Sequence, residues 1–151
     1  MGFTQVRVHV RKKEASDAER LEQFLEGMGV EAILLPQNEY LTIDSYQVSF
    51  ENFEEIAMGI SGELALNVLV GFVFDSDVAV VHGYINGDKV YEEVKSIGEC
   101  QEMDREMFLK DFFPACDSKA FNDVLDNENH IFAEDYLFEL GDALGIKFFE
   151  E

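Results

Sequence analysis

Tryptophan is absent from this chain of 151 residues, and proline and cysteine occur only twice each. The two cysteines, Cys100 and Cys116, have neither CxxC spacing nor a histidine cluster beside them. That argues against a zinc ribbon or a disulfide framework and for two reduced thiols. Pro36 and Pro114 are the only prolines, and no Pro/Ser/Gly-rich stretch marks a linker. Residues 1–151 therefore read as a single domain. No apolar run approaches the ~18 residues needed to cross a bilayer, so no membrane association is expected. The first residues also lack the basic start and apolar run of a signal peptide, which makes the cytoplasm the expected location. Between Leu21 and Asp88 there is no lysine or arginine at all.

What is present in their place is carboxylate. Thirty-two acidic residues stand against eleven basic ones, a formal net charge of −21. Such a field repels nucleic acid and anionic membrane and steers a basic protein toward the chain. A basic protein partner is expected, and direct nucleic-acid binding is not. Hydrophobic residues make up 47% of the chain, which argues against disorder. The fourteen phenylalanines predict a core packed from Phe, Leu, Val and Ile.

The order of elements is mixed. Phe3 to Arg11 alternates with period two, Val6, Val8 and Val10 pointing one way and Arg7, His9 and Arg11 the other. Ser16-Asp17-Ala18-Glu19 has the spacing of a capping box and opens a helix with Ala18, Leu21, Leu25 and Met28 on one face, stopped at Gly29. Two strands follow, Ala32 to Leu35 and Tyr40 to Val48, around a loop at Pro36-Gln37-Asn38. Asn52 with Glu55 then caps a helix carrying Phe53, Ile56, Ala57 and Ile60 inward. Val68 to Phe74 is almost wholly apolar, the pattern of a central strand covered on both faces. Val78 to Ile85 and Lys89 to Ile97 flank Asn86-Gly87, the strongest hairpin signal in the chain. The last third is helical. Asp104 caps a helix that ends before Pro114, and Asp117 or Ser118 caps the next. The final helix aligns Ala133, Tyr136, Leu137, Leu140 and Leu144 before Gly145. The expected fold is a single α+β domain: an antiparallel-rich sheet of five to six strands, helices packed on it, and a helical C-terminal section.

Few residues invite chemistry. Asp75 and Asp77, at the end of the apolar strand, could hold a divalent cation through oxygen ligands. Asp75-Ser76-Asp77-Val78 resembles the first motif of haloacid-dehalogenase-type phosphotransferases, which would make Asp75 a nucleophile and Asp77 an acid/base near Mg²⁺. The chain continues into a hairpin and helices rather than repeated βα units, and Asp and Ser are ordinary turn residues, so a turn is the expected role. His9, His82 and His130 lie far apart, and His82 reads as a packed or edge histidine. Asp126-Asn127-Glu128-Asn129 lacks the glycine and terminal glutamate of a calcium loop. There is no Gly-rich phosphate loop, HExxH or GxSxG. No cofactor is implied. Arg7, Arg11, Lys12, Lys13 and Arg20, five of the eleven basic residues, gather near the N-terminus. They read as a solvated strand face and loop, or else as a patch that pairs with acidic groups of a second subunit.

Two stretches carry a resemblance. Phe74 to Val90 forms strand, aspartate-rich turn, strand, Asn-Gly turn, strand; Phe132 to Ile146 forms a closing helix with a Leu-Gly-Ile end. Together, over about a fifth of the chain, they resemble small acidic immunity proteins of bacterial polymorphic-toxin systems. The resemblance implies an intracellular, non-enzymatic protein that neutralises a toxin by binding it, with no catalytic residues. The expected function is thus an immunity-type inhibitor of a basic toxin or nuclease. The alternatives are a metal-dependent hydrolase or phosphotransferase using Asp75 and Asp77, and a nucleic-acid mimic that binds a host DNA-binding protein. Glu51, Glu54 and Glu55, inside the cation-free span, are the nominated partner-binding residues. The oligomeric state stays open, a homodimer included.

Overall fold

The computed structural model describes residues 4–96, 100–128 and 132–149. Its plan is visible in strand β1 (Gln5–Arg11), whose neighbours on both sides are antiparallel. The sheet runs β2 (Ile33–Gln37), β3 (Tyr40–Asp44), β1, β4 (Val68–Phe74), β5 (Val78–Ile85), β6 (Asp88–Ser96) and β7 (Cys100–Gln101). Every pairing is antiparallel. The first six are full strands and β7 is a two-residue addition at the edge.

Two layers of helix cover the sheet. Helices α1 (Asp17–Gly27) and α2 (Phe53–Glu63) lie on a first face with Val8, Val10, Leu41, Ile43, Val68 and Val70. Helices α3 (Arg105–Phe112), α4 (Ser118–Asp126) and α5 (Ala133–Leu144) lie on the second, over Leu69, Val73, Ala79, Val81 and Tyr91. The apolar run of β4 feeds both cores, as its composition predicts. The segment after α5 returns to the second face and buries Ile146, Phe148 and Phe149.

This second layer changes the reading of β1. Val8 and Val10 point into the first core, but the opposite side is not solvated. His9 is fully buried on the second face, its ring 5.5 Å from that of Phe148 and its Nδ1 2.8 Å from Thr42 Oγ1. Burial, assisted by the charge of Arg7, lowers its pKa to about 3, so it is neutral. Arg11 reaches past it to the Asp111 carbonyl at the end of α3 (2.8 Å).

The expected hairpin is present. Asn86 and Gly87, both at positive φ, join Ile85 to its register partner Asp88. Gly87 N–H donates to Ser61 Oγ (2.9 Å), docking the turn on the last turn of α2. Asp104 and Asp117 cap α3 and α4 by accepting from Met107 N–H and Lys119 N–H. Gly145 at φ 84° ends α5, with Ile146 N–H donating to the Gly141 carbonyl.

Other local signals are used differently. Ser16 makes no side-chain cap; Asp17, almost fully buried, accepts from Lys13 N–H (2.7 Å) and Glu14 N–H (2.9 Å) and pairs with Arg20. Burial works to raise the Asp17 pKa, but those N–H bonds and Arg20 hold it below the ordinary value. Asn52 does not cap α2. It fastens the preceding loop instead, accepting from Ser49 N–H (2.8 Å) and donating to the Gln47 carbonyl (2.7 Å). Pro36 sits inside β2, not in the loop after it. An edge strand tolerates the missing N–H because one side of its ladder is unpaired. Ile97, Asn129 and His130 lie outside the described residues.

Candidate functional site

The loop fastened by Asn52 places Phe50 over the far end of β4. Phe72 and Phe74 stand on the first face there. The Phe50 ring meets Phe72 at 5.5 Å and Phe74 at 6.1 Å, both edge to face, and Phe53 at the start of α2 backs Phe72 at 5.3 Å. Phe53 is buried, whereas Phe50 is 38% and Phe74 57% exposed. The four rings form a ladder that begins in the core and ends in water.

The nominated carboxylates surround this ladder unequally. Glu51, Glu54 and Glu55 are all exposed. Glu51 follows Phe50 in the turn before α2. Glu54 lies on the flank of α2 that faces β5 and β6, and its charge acts on His82 and Tyr84. Glu55 is about 100° further round the helix. It shares its flank with Gly59, which packs against Phe24 of α1. Glu51 thus adjoins Phe50 along the chain, Glu54 follows Phe53 and lies toward His82, and Glu55 belongs to the α1 side.

Beneath the ladder lies a buried polar chain. His82, on β5, stacks edge to face on Phe72 (5.4 Å). Its Nδ1 is 3.0 Å from the Tyr84 hydroxyl and its Nε2 2.8 Å from Glu92 Oε2, which also accepts from Lys89 Nζ at 2.8 Å. Burial and then Lys89 lower the His82 pKa; Glu92 and Glu54 oppose them without reversing the shift. The Lys89 hydrogen bond holds Glu92 below the ordinary carboxylate range despite its partial burial. Burial raises the Tyr84 hydroxyl. The His82–Glu92 bond joins β5 to β6 and so braces the two strands.

Asp75 and Asp77 occupy the β4–β5 turn. Asp75 and Ser76 take positive φ, and Asp77 N–H closes the turn on the Phe74 carbonyl (3.0 Å). The turn clasps the start of α5: Ala133 N–H donates to the Ser76 carbonyl (2.9 Å), and Ser76 Oγ bonds Glu134 Oε2 (3.0 Å). Thr4 Oγ1 accepts from Asp75 N–H (2.8 Å). The geometry is that of a hairpin turn, and Lys89, the nearest lysine along the chain, is committed to Glu92. No group of three or more His, Cys, Asp or Glu side chains able to hold a metal occurs among the described residues.

A cleft of about 520 Å³ opens behind this turn, between β6 and helices α4 and α5, lined by Asp77, Glu93, Lys95, Asp126, Phe132 and Tyr136 among others. Lys95 is fixed there. Its Nζ donates to the carbonyls of Leu125 (3.0 Å) and Asn127 and lies 4.8 Å from the centre of the Tyr136 ring. Glu93 is buried, which raises its pKa; the Met103 N–H and Arg105 only partly offset this.

The basic residues near the N-terminus are mostly spent within the chain. Arg7 meets Asp44 (3.9 Å) and Arg11 meets Glu39 (3.1 Å). Arg20 pairs with Asp17 and also donates to the Leu64 carbonyl, and Lys13 donates to the Ala65 carbonyl (2.9 Å). Both carbonyls lie at the C-terminal end of α2, where positive charge is favoured. Sequence reasoning nominated the carboxylates and missed the aromatic ladder, because Phe72 and Phe74 close an apolar run that reads as wholly buried. No signal in the sequence marks their exposure, which is set by tertiary packing.

Comparisons with protein families, curated proteins and solved structures find no match for this chain.

Proposed function

We propose that this chain is a non-enzymatic acidic binding protein, an immunity-type inhibitor that captures a basic toxin or nuclease inside the cell. The observation that carries the reading is how the few cations are used. Arg7, Arg11, Lys13, Arg20, Lys95 and Arg105 are tied to carboxylates or backbone carbonyls of the same chain. Glu22, Glu26, Glu31, Glu51, Glu54, Glu55 and Glu63 meanwhile stay at the surface. The outward field is therefore strongly negative, which accelerates encounter with a positively charged protein.

The test is reconstitution. A basic protein captured from an extract of the source organism at low salt is purified and mixed with this chain. Stoichiometric binding, together with loss of the captured protein's activity, supports the reading. Metal-dependent phosphatase or nuclease turnover by this chain, abolished in a folded Asp75→Asn variant, would replace it with the enzyme reading.

A further inference from the structure

We propose that Phe50 and Phe74, with Glu51 next to Phe50 in the chain and Glu54 next to Phe53, form a seat for an arginine side chain of the basic partner. This rests on the reading of the chain as a binder of basic proteins, and adds where contact is made and which cation is taken.

The argument starts from the rings. Single exposed phenylalanines are ordinary, but two in mutual contact on a buried aromatic base form a patch, and such patches mark interaction surfaces. Phe50 and Phe74 lie 6.1 Å apart at 85°, and Phe50 rests on Phe72 and Phe53. The hydrogen bonds of Asn52 hold the Phe50 loop in place, so the rings are ordered before a partner arrives and little entropy remains to be lost on binding.

Charge complementarity then selects the occupant. The span from Leu21 to Asp88, which supplies every member of the patch, holds no lysine or arginine. A purely apolar partner laid on Phe50 would cover the adjoining Glu51 without pairing it, at a desolvation cost. A lysine would supply charge as a strongly hydrated point with no flat surface to lay on a ring. An arginine satisfies both halves: its guanidinium plane stacks on a phenyl face while its N–H fork reaches a carboxylate. Aromatic anchors and arginine are also the residues that dominate binding energy at protein interfaces.

The experiment titrates the full chain with two peptides, nona-arginine and nona-lysine, at low ionic strength, by calorimetry and by NMR. The wild type should bind nona-arginine several-fold more tightly than nona-lysine, with the largest shifts at Phe50, Phe74 and their neighbours. Phe50→Leu with Phe74→Leu keeps apolar bulk at both half-exposed positions but removes the ring faces. It should weaken nona-arginine by about tenfold and nona-lysine little. Equal affinity for the two peptides, shifts centred elsewhere, or arginine binding unmoved by the leucine pair would overturn the seat and leave the acidic-binder reading standing. Failure of both peptides to bind would overturn both. Self-association of the chain that the leucine pair abolishes would assign the face to a second copy and overturn the arginine seat. The wild-type comparison and shift map need no variant, so the proposal stays testable even if the leucine pair folds poorly.

Discussion

His82 and Glu92 are register partners across β5 and β6, with Nε2 and Oε2 2.8 Å apart, yet the histidine ionises below its ordinary value. Burial and the Lys89 charge outweigh the attraction of the carboxylate. His9, on the other side of the sheet, shifts the same way for the same first reason.

This fixes a pH dependence. Both folded pKa values lie below the ordinary 6.5, so the unfolded chain takes up protons first as the pH falls. Stability from these groups is complete above about pH 6.5 and is lost as the pH drops toward the folded values, with a limiting slope of about 1.4 kcal/mol per pH unit for each histidine. Denaturation in high salt, which screens repulsion between carboxylates, should show the decline. In NMR titrations His9 should stay neutral until about pH 3, and His82 should titrate below 6.5. A His82 midpoint above 6.5 would contradict the assignment.

Glu93 has the opposite sign. Its folded pKa is raised, so it favours folding below the ordinary glutamate range, and that contribution is lost as the pH rises through the folded value. Glu93→Gln keeps an oxygen for the Met103 N–H and removes the buried charge. It should stabilise the protein by roughly 0.5–1 kcal/mol at neutral pH, with the gain shrinking toward pH 4. Equal denaturation midpoints for the two proteins at neutral pH would show that the charge is already compensated.

Gly87 sits at φ 87° with its N–H held by Ser61 Oγ. A Cβ there would stand 3.5 Å from Gly62 Cα, so the objection to a side chain is conformational rather than steric. Gly87→Val should cost ~1 kcal/mol or more, since a β-branched residue resists positive φ. Urea denaturation reads the loss directly. A neutral result would mean the turn re-forms in another shape.

Reversing Glu51, Glu54 and Glu55 to lysine should slow association with a basic partner by about an order of magnitude and flatten its salt dependence, while dissociation changes less. The position of Glu55 on the α1 flank refines this: Glu55→Lys alone should affect the on-rate but not arginine preference. Stopped-flow mixing at several ionic strengths separates the two. Association insensitive to both salt and the triple reversal would mean that the charge serves solubility only.

Much of the fold is legible because its signals are local. Asn86-Gly87 demands positive φ, the apolar run from Val68 to Phe74 demands cover on two sides, and Asp104 and Asp117 cap the helices they precede. What escaped depends on distant parts of the chain. The alternation in β1 cannot say whether its polar side meets water; Phe148, far along the chain, answers that by burying His9. Ser16 and Asn52 have cap spacing, but Asp17 and the Ser49 loop compete for the same kinds of hydrogen bond. The carboxylates of the candidate site could be read off the sequence because charge seeks water. Its phenylalanines could not, since exposure depends on where α1 and α2 stop covering the sheet.

The two ends of the sheet differ in how they can meet other chains. At one end β2 carries Pro36, which has no N–H to offer an incoming strand, although Ile33 at the start of the same strand is 65% exposed. At the other end the described residues of β7 pair with β6 only at Val94 and Lys95, which leaves β6 from Asp88 to Glu93 outside that pairing. Growth of the sheet by strand addition, the route to domain-swapped pairs and fibres, is therefore hindered at β2, and the ladder positions left for an incoming strand are those of β6.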